Sequence, residues 1–355
     1  MSQSVTFAYP GDLGLNTGGY AYDRRVISGL SENGWSVERL PLGEGFPFPT
    51  AEGKLEAERR LSELSDGALV VIDGLAFGVL DEWAGREAER LRIVALVHHP
   101  LALETGLDNT QQSVLHRCER RSLSLASHVI VTSPMTARAL VADYGMPALR
   151  ITVALPGTDP APAAAGTGIG TGTDTDDPPH ILSIGTLIPR KGHDVLIDAL
   201  KEVEHLPWRA TIVGSQTLNP QTATLLHRQV EALGLTARIS LAGECDDPRP
   251  LLAGADIFAL ASRFEGYGMV FAEALSQGLP IIACRAGAIP EVVPEEAGLL
   301  VPVDDVGAFA RALHSLLTDT TLRRAKAEAA RLAGAQLPGW ATTVDIISTA
   351  LRGLP

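Results

Sequence analysis

A rhythm constrains the fold more than any single residue does. Short, almost wholly apolar runs alternate with longer stretches of helical periodicity, in both halves of the chain. In the first half the runs are "SVTFAY" (residues 4–9), "WSVERL" (35–40), "ALVVID" (68–73), "RIVALVHH" (92–99), "HVIVTS" (128–133) and "RITVAL" (150–155). Helical patterns separate them at 20–31, 54–64, 75–91, 110–126 and 135–144. In the second half the runs are "HILSIGT" (180–186), "RATIVGS" (209–215), "RISLAGE" (238–244), "DIFALAS" (256–262) and "PIIACR" (280–285). Their helices are expected at 194–203, 222–233, 250–253 and 269–277, and "GLLVPVDD" (298–305) precedes two more that run to about residue 335. A strand that is apolar on both faces is buried on both, and a strand joined to the next by a helix runs parallel to it. Each half is therefore an α/β, doubly wound parallel sheet.

Between the halves the pattern stops. Residues 156–179 contain "APAAAGTGIGTGTDTDDPP", which has almost no bulky side chain to bury, so the stretch is expected to be a mobile linker. Asp174-Thr175-Asp176 within it has the look of a metal-binding Asp-x-Asp, but no strand or catalytic neighbour supports a metal there. The expected division is residues 1–155, a linker 156–179, and 180–337, with a tail helix at 340–351 following Pro338-Gly339. A chain of 355 residues is long enough for two such domains. Ligands of doubly wound sheets sit at the carboxyl ends of the strands, and two such domains imply a cleft.

Charge and cysteine content narrow the partners. The net charge of −13 argues against nucleic acid, whose phosphates need clustered Lys and Arg, and mildly against anionic lipid. The one local basic cluster is Arg117, Arg120 and Arg121 on a single helix, which a solvated face accounts for. Cys118, Cys245 and Cys284 are scattered, without metal-ligand spacing, as in a reduced cytoplasmic enzyme. The first residues lack a basic-then-apolar signal pattern, and no apolar run approaches the roughly 20 residues of a membrane span.

The chemistry concentrates in "SRFEGYGMVFAEALSQG" (262–278). Glu265 and Glu273 stand eight residues apart, a little over two turns of helix, and a glycine-rich turn, Gly266-Tyr267-Gly268, separates them. Met269 begins a helix whose free N–H groups and dipole suit an anion such as a diphosphate. The two carboxylates can therefore reach different parts of one extended ligand. A second motif, "IGTLIPRKGHDVLIDAL" (184–200), runs from a strand through Gly185 and Arg190-Lys191-Gly192 into a helix. Adjacent cations at the mouth of a parallel sheet suit a diphosphate leaving group, with Lys191 neutralising developing charge and Arg190 adding a bidentate grip. In the first half, Gly18 and Gly19 open a helix directly after a strand, where backbone can approach a ligand closely. His98 and His99 end the strand at 92–97, at the edge where ligands bind.

The segment "FEGYGMVFAEALSQGLPIIACRAGAIPEVV" (264–293) resembles, nearly residue by residue, the donor-binding segment of retaining glycosyltransferases of family 4, including Gly278-Leu279-Pro280, Gly287 and Pro290-Glu291. The Lys191 loop resembles the same family's Gly-Arg…Lys-Gly pattern, with one departure: the arginine expected after Gly185 is Thr186. The resemblance is strong over the second half and weak over the first. It implies the GT-B architecture, two facing Rossmann-like domains with an interdomain cleft, with the tail helix 338–355 crossing back onto the first domain.

It also implies roles. Glu265 would hold donor-sugar hydroxyls, with the N–H groups of Gly266, Gly268, Met269 and Val270 facing sugar or phosphate. Glu273 would accept from ribose hydroxyls, Gly243 and Glu244 would lie near the base, and Gly18 and Gly19 would lie beside the donor phosphates. Lys191 would meet the diphosphate, and Arg190 would stand in for the missing arginine. One histidine, His98 by alignment of the strand with His99 as competitor, would sit near the reacting sugar. Glu104 and Arg263 are open between ligand contacts and plain surface roles. The implied reaction is sugar (hexosyl) transfer from a nucleotide-diphosphate sugar to a hydroxyl with retention, with no metal and no cofactor beyond that substrate. The acceptor stays open, a soluble small molecule or glycan being favoured over lipid. Two rivals share the architecture: a sugar-nucleotide 2-epimerase, which would need acid–base carboxylates in the first domain, and a non-catalytic nucleotide-sugar-binding protein.

Overall fold

The computed structural model describes residues 3–166 and 177–354, so Asp174 to Asp176 lie outside the described residues. It divides into two compact units, Met1–Gly157 with Pro338–Pro355, and Thr158–Leu337.

The first unit is built on six strands: β1 (Ser4–Tyr9), β2 (Ser36–Pro41), β3 (Leu69–Asp73), β4 (Arg92–Val97), β5 (His128–Val131) and β6 (Ile151–Val153). Every pairing is parallel and the order is β2-β1-β3-β4-β5-β6. All five residues of β3 are buried, because helices cover both faces of the central strands. Ile72, Phe77, Trp83, Ile93 and Val129 meet in its core. Truncating Phe77 or Trp83 in such a core would cost about 3–5 kcal/mol.

The second unit repeats the plan with β7 (His180–Ile184), β8 (Arg209–Val213), β9 (Ile239–Leu241), β10 (Ile257–Leu260), β11 (Ile281–Cys284) and β12 (Gly298–Val301). Its order is β12-β11-β10-β7-β8-β9, again parallel throughout. The chain therefore leaves β7 in one direction, to β8 and β9, and returns to β10 on its other side. The loops after β7 and β10 part at this switch point, where doubly wound sheets leave a crevice beyond the strand ends. The motif holding Lys191 follows β7, and the motif holding Glu265 follows β10. In the first unit β1 and β3 are the corresponding neighbours; the Gly18-Gly19 loop follows β1, and Asp73 ends β3.

Three expectations need correction. The helical stretch at 75–91 is two short helices, Gly74–Phe77 and Asp81–Glu87. The break falls at Gly78, where a Cβ would come within 2.5 Å of Leu101 Cδ1, so the chain turns where that leucine packs. The stretch 156–179 was expected to be mobile throughout. Ala164 N–H donates to Gln277 O at 2.7 Å and Ala165 N–H to Ala253 O at 2.9 Å, so backbone hydrogen bonds fasten its middle to the second unit. The expected strands from β4 to β11 were one to three residues too long at their carboxyl ends, where the chain turns into loop; β1 and β3 end where expected, and β2 runs one residue further.

The tail helix, Trp340–Arg352, belongs to the first unit. Trp35 Nε1–H donates to Ser348 Oγ at 2.8 Å and Thr343 Oγ1–H to Leu155 O at 2.7 Å, while Trp340 packs edge-on to Tyr22.

Candidate functional site

In the second unit, β7 ends at Ile184, and a 3-10 turn, Pro189–Lys191, passes into the helix His193–Glu202. Gly192 joins them at φ +63, and a Cβ there would stand 2.0 Å from Ala261 O. Only a glycine lets the two loops approach this closely. Arg263 N–H donates to Arg190 O at 2.8 Å, completing the junction.

The junction places Lys191 and Arg190 on one carboxylate. Lys191 Nζ donates to Glu265 Oε1 at 2.6 Å, and Ser262 Oγ–H donates to the same oxygen at 2.6 Å. Arg190 NH1 lies 3.4 Å from Glu265 Oε2 and donates to Phe264 O at 2.9 Å. Glu265 is only 5% exposed. Burial alone would push its carboxyl up, but Lys191, then Arg190, then the hydrogen bonds outweigh it and bring it down to about 2. Glu265 is thus a fixed anion over the whole physiological range, and the three side chains together carry one net positive charge. Arg190 therefore stands on the same carboxylate that Lys191 holds.

The helix Met269–Ser276 begins immediately beyond, capped by Gly268, so the N–H groups of Met269 and Val270 open its first turn, and Gly266 lies in the turn before it. Glu273 is in the helix's second turn. Its environment is the reverse of Glu265's: burial first, then Asp159, raises its carboxyl to about 7, against the pull of Arg249. One glutamate is an anion at all working pH values, and the other gains and loses its proton near neutrality. Spacing alone did not separate them.

Gly243 and Glu244 follow β9 at the same carboxyl edge; Gly243 O accepts from Gly214 N–H at 2.8 Å, and Glu244 is exposed. Arg263, expected as a ligand contact or a solvated side chain, is instead a strut. It reaches Asp194 at 2.7 Å, Asp304 at 2.7 Å and Pro189 O, tying the β10 loop to its neighbours. His193 is buried, with Nε2 at 3.0 Å from Gly185 O, and burial pushes its imidazole down to about 4, so it supports the loop as a neutral ring.

In the first unit, Thr17 caps the helix Gly18–Glu32. Gly19 lies under the His98 ring, where a Cβ would be 3.5 Å from Cδ2. The two histidines part company. His99 Nε2 faces Glu104 Oε2 at 3.1 Å, while His98 Nε2 faces Asp23 Oδ1 at 3.2 Å and Asp73 Oδ2 at 3.5 Å. Asp23 and Asp73 were not among the expected site residues. The available signals were Asp73's place at the end of an apolar run and Asp23's place between Tyr22 and Val26 on the apolar face of its helix. Among the described residues these three are the one group of metal-ligating types whose polar atoms all lie within 4.8 Å of one another. Arg117, Arg120 and Arg121 are exposed, and Arg121 reaches Asp81 at 3.2 Å. Among the described residues no helix is long and apolar enough to cross a membrane.

Two family models match the chain: a glycosyl transferase 4-like domain over residues 6–157 and glycosyl transferases group 1 over residues 178–319. D-inositol 3-phosphate glycosyltransferase from Corynebacterium glutamicum is 30% identical over 288 residues, covering 75% of this chain and 68% of that protein. The chain belongs to the group 1 glycosyltransferases. Against two further relatives, glycosyltransferases also, the matched stretch covers only 43% and 61% of their length. The fold is that of sucrose-phosphate synthase from Thermosynechococcus elongatus (TM-score 0.81, 20% identity, 99% of both chains). It is also that of HepE from Anabaena, solved with UDP-glucose (TM-score 0.74, 20% identity, 98% of this chain and 100% of that one). The GT-B architecture implied by the sequence is therefore this protein's architecture. The residues that met on Glu265 belong to the group 1 region, and the His98 cluster belongs to the 4-like region.

Proposed function

We propose that this protein transfers a sugar from a nucleotide-diphosphate sugar to a hydroxyl acceptor, with retention at the anomeric carbon and without a metal ion. The observation that carries this reading is the convergence of Lys191 and Arg190 on buried Glu265 at the switch point of the second sheet. A diphosphate held there meets Lys191, Arg190 and the N-terminus of the helix Met269–Ser276, which together supply the charge that other transferases take from a metal. The remaining acceptor capacity of Glu265 Oε2 suits a sugar hydroxyl, and Glu273 suits the ribose. The bond from the anomeric carbon to the diphosphate oxygen breaks, and the acceptor oxygen bonds to that carbon on the same face. The acceptor's proton passes to the departing diphosphate, so no carboxylate nucleophile is required. Positioning and phosphate stabilisation then supply most of the rate.

The test begins with binding. A nucleotide present at about 100 times its Kd stabilises the native state by about 2.7 kcal/mol, which is a rise of about 5–10 °C in Tm for a domain of this size. UDP, GDP, ADP and their common sugars are to be compared by thermal shift on the wild type and on Lys191→Ala and Glu273→Ala. One nucleotide is expected to raise the Tm, and both substitutions are expected to shrink that rise. A folded protein that no nucleotide stabilises at millimolar concentration ends the transferase reading.

Glu273 adds a pH dependence. Its folded-state carboxyl is raised to about 7, so between about pH 4.5 and 7 the folded protein holds a proton that the unfolded chain has lost. Its ionisation therefore costs stability progressively as pH rises through that window. Ribose hydroxyls bind the ionised form, so nucleotide affinity is expected to fall about tenfold between pH 7.5 and 5.5. Glu273→Gln should bind less tightly at pH 7.5, show a flatter profile, and melt a few degrees higher than wild type at pH 8 but not at pH 4. Parallel profiles for the two proteins in calorimetric titration would remove Glu273 from the site.

A further inference from the structure

The transfer reaction above gives no task to the two acids around His98. Asp23 is fully buried on the helix Gly18–Glu32, on the face that carries Tyr22, Val26, Ile27 and Leu30. A buried carboxylate is strongly unfavourable unless it is paired. Asp23 Oδ1 faces His98 Nε2 at 3.2 Å, and Oδ2 has no partner among the described residues. Asp73, at the end of β3, accepts from Leu75 N–H at 2.6 Å through Oδ1 and turns Oδ2 to the same ring nitrogen at 3.5 Å. One imidazole nitrogen thus faces two buried carboxylates. The rest of the ring is held as well: Tyr22 lies edge-on with ring centroids 5.4 Å apart, Gly19 leaves room beneath it, and Thr132 Oγ1–H donates to His98 O at 3.0 Å. Nδ1 has no partner among the described residues.

We propose that Asp23 and Asp73 are positioning residues that lock His98 with Nε2–H turned inward, so that Nδ1–H is offered as a hydrogen-bond donor to a hydroxyl or phosphate oxygen of the substrate. A neutral ring with its proton on Nε2 would present Nδ1 as an acceptor only; the second proton is what makes the outer edge a donor. Burial opposes that proton, but Asp23 and then Asp73 outweigh burial and raise His98. Asp23 is itself raised by burial and by the neighbouring Asp73, against the pull of His98. The other titratable groups facing the cluster are the phenols Tyr20 and Tyr22, both pushed above the usual phenol range by burial and so neutral, with Glu44 and Asp12 beyond Tyr20.

The protonation state can be read without any activity. Nitrogen-15 NMR of the full chain is expected to show both His98 ring nitrogens protonated at pH 7.5, where an ordinary histidine is mostly neutral. Asp23→Asn and Asp73→Asn should each lower that titration by at least one pH unit. On the transferase reading, Asp23→Asn should lower kcat about 100-fold while the nucleotide-induced rise in Tm is kept. A higher KM for the donor would place the oxygen on the sugar nucleotide, and a higher KM for the acceptor would place it there. If Asp23→Asn does not fold, the wild-type titration and Asp73→Asn carry the test. A wild-type His98 that titrates below pH 7, or is unmoved by both substitutions, overturns the proposal. So does a Tm raised by Zn²⁺ or Mn²⁺ alone in the wild type but not in Asp73→Asn, which would make the cluster a metal site. If the NMR holds and no sugar nucleotide is turned over, the transfer reading fails and the assignment of His98 stands.

Discussion

Lys191→Ala is expected to lower kcat/KM for the sugar nucleotide by about 10²–10³, the loss that follows removal of one preorganised group from a developing oxyanion. The same substitution acts on stability through a different atom pair. Lys191 Nζ lies 2.6 Å from Glu265 Oε1, on a side chain that is only 7% exposed. Removing one partner of a buried ion pair typically costs about 3–5 kcal/mol, because the remaining charge is left uncompensated. Ser262 and Arg190 stay on Glu265, so the lower end of that range is expected here. The carboxyl of Glu265 should also rise from about 2, since Lys191 is the largest of the influences that lower it. Stability then present above the unfolded pKa is lost as pH falls through the folded one, and the variant should lose it at higher pH than the wild type.

The two effects can be separated. Lys191→Met keeps most of the packing, and joining it to Glu265→Gln removes both charges together. The double variant should recover much of the stability that Lys191→Met loses, because contacting residues couple in a double-mutant cycle. It should recover none of the turnover. A Lys191→Ala enzyme with kcat/KM within threefold of wild type would mean that the diphosphate is met by other groups.

How far these sites were legible depended on what each residue's neighbours in sequence could reveal. The central strands were legible because they are buried on both faces, and runs as short and apolar as "DIFALAS" or "ALVVID", alternating with helical patterns, read as strands of a parallel sheet. The loop residues Lys191, Glu265 and Glu273 were legible as a motif, since glycines and charges bunch where a helix begins. That Lys191 and Arg190 close on Glu265 was not legible, because it depends on β7 and β10 being neighbours although two strands separate them in sequence. Asp23 was hidden for the opposite reason. In a helical pattern a charged residue reads as an outward position, and only the proximity of His98, 75 residues away, explains an acid on the buried face. Arg263 stayed open between a ligand contact and a surface role because the sequence cannot show that Asp194 and Asp304 receive it. The helix break at Gly78 escaped notice because a single glycine in a helical pattern is usually tolerated, and the leucine that packs against it arrives from the loop after β4.

Gly287→Ala is expected to be a strongly damaging substitution in the second unit although it removes no charged side chain. Gly287 has φ +53, and a Cβ there would stand 2.2 Å from Glu265 O and 2.9 Å from Glu265 N. Both are backbone atoms, which cannot swing aside as the end of a flexible side chain can. The left-handed conformation alone costs an alanine about 1–2 kcal/mol, and overpacking adds about 1–3 kcal/mol, so a loss of about 2–5 kcal/mol follows. That corresponds to a Tm lower by about 5–15 °C. The backbone can relieve the contact only by moving Glu265, whose carbonyl also accepts from Ala288 N–H at 2.9 Å. Any such movement draws the carboxylate away from Lys191 and Ser262, so nucleotide affinity should fall along with stability. Gly307→Ala is the matched control: that glycine lies in the helix Val306–Thr318, its nearest neighbour is the mobile end of Arg311 at 3.3 Å, and alanine there should be neutral or gain up to about 1 kcal/mol. If Gly287→Ala melts with the control but binds nucleotide poorly, the loop yields at little energetic cost and the site alone is displaced. If it melts low but binds normally once folded, the loop returns to place and Glu265 is held by its side-chain partners rather than by the backbone beneath it.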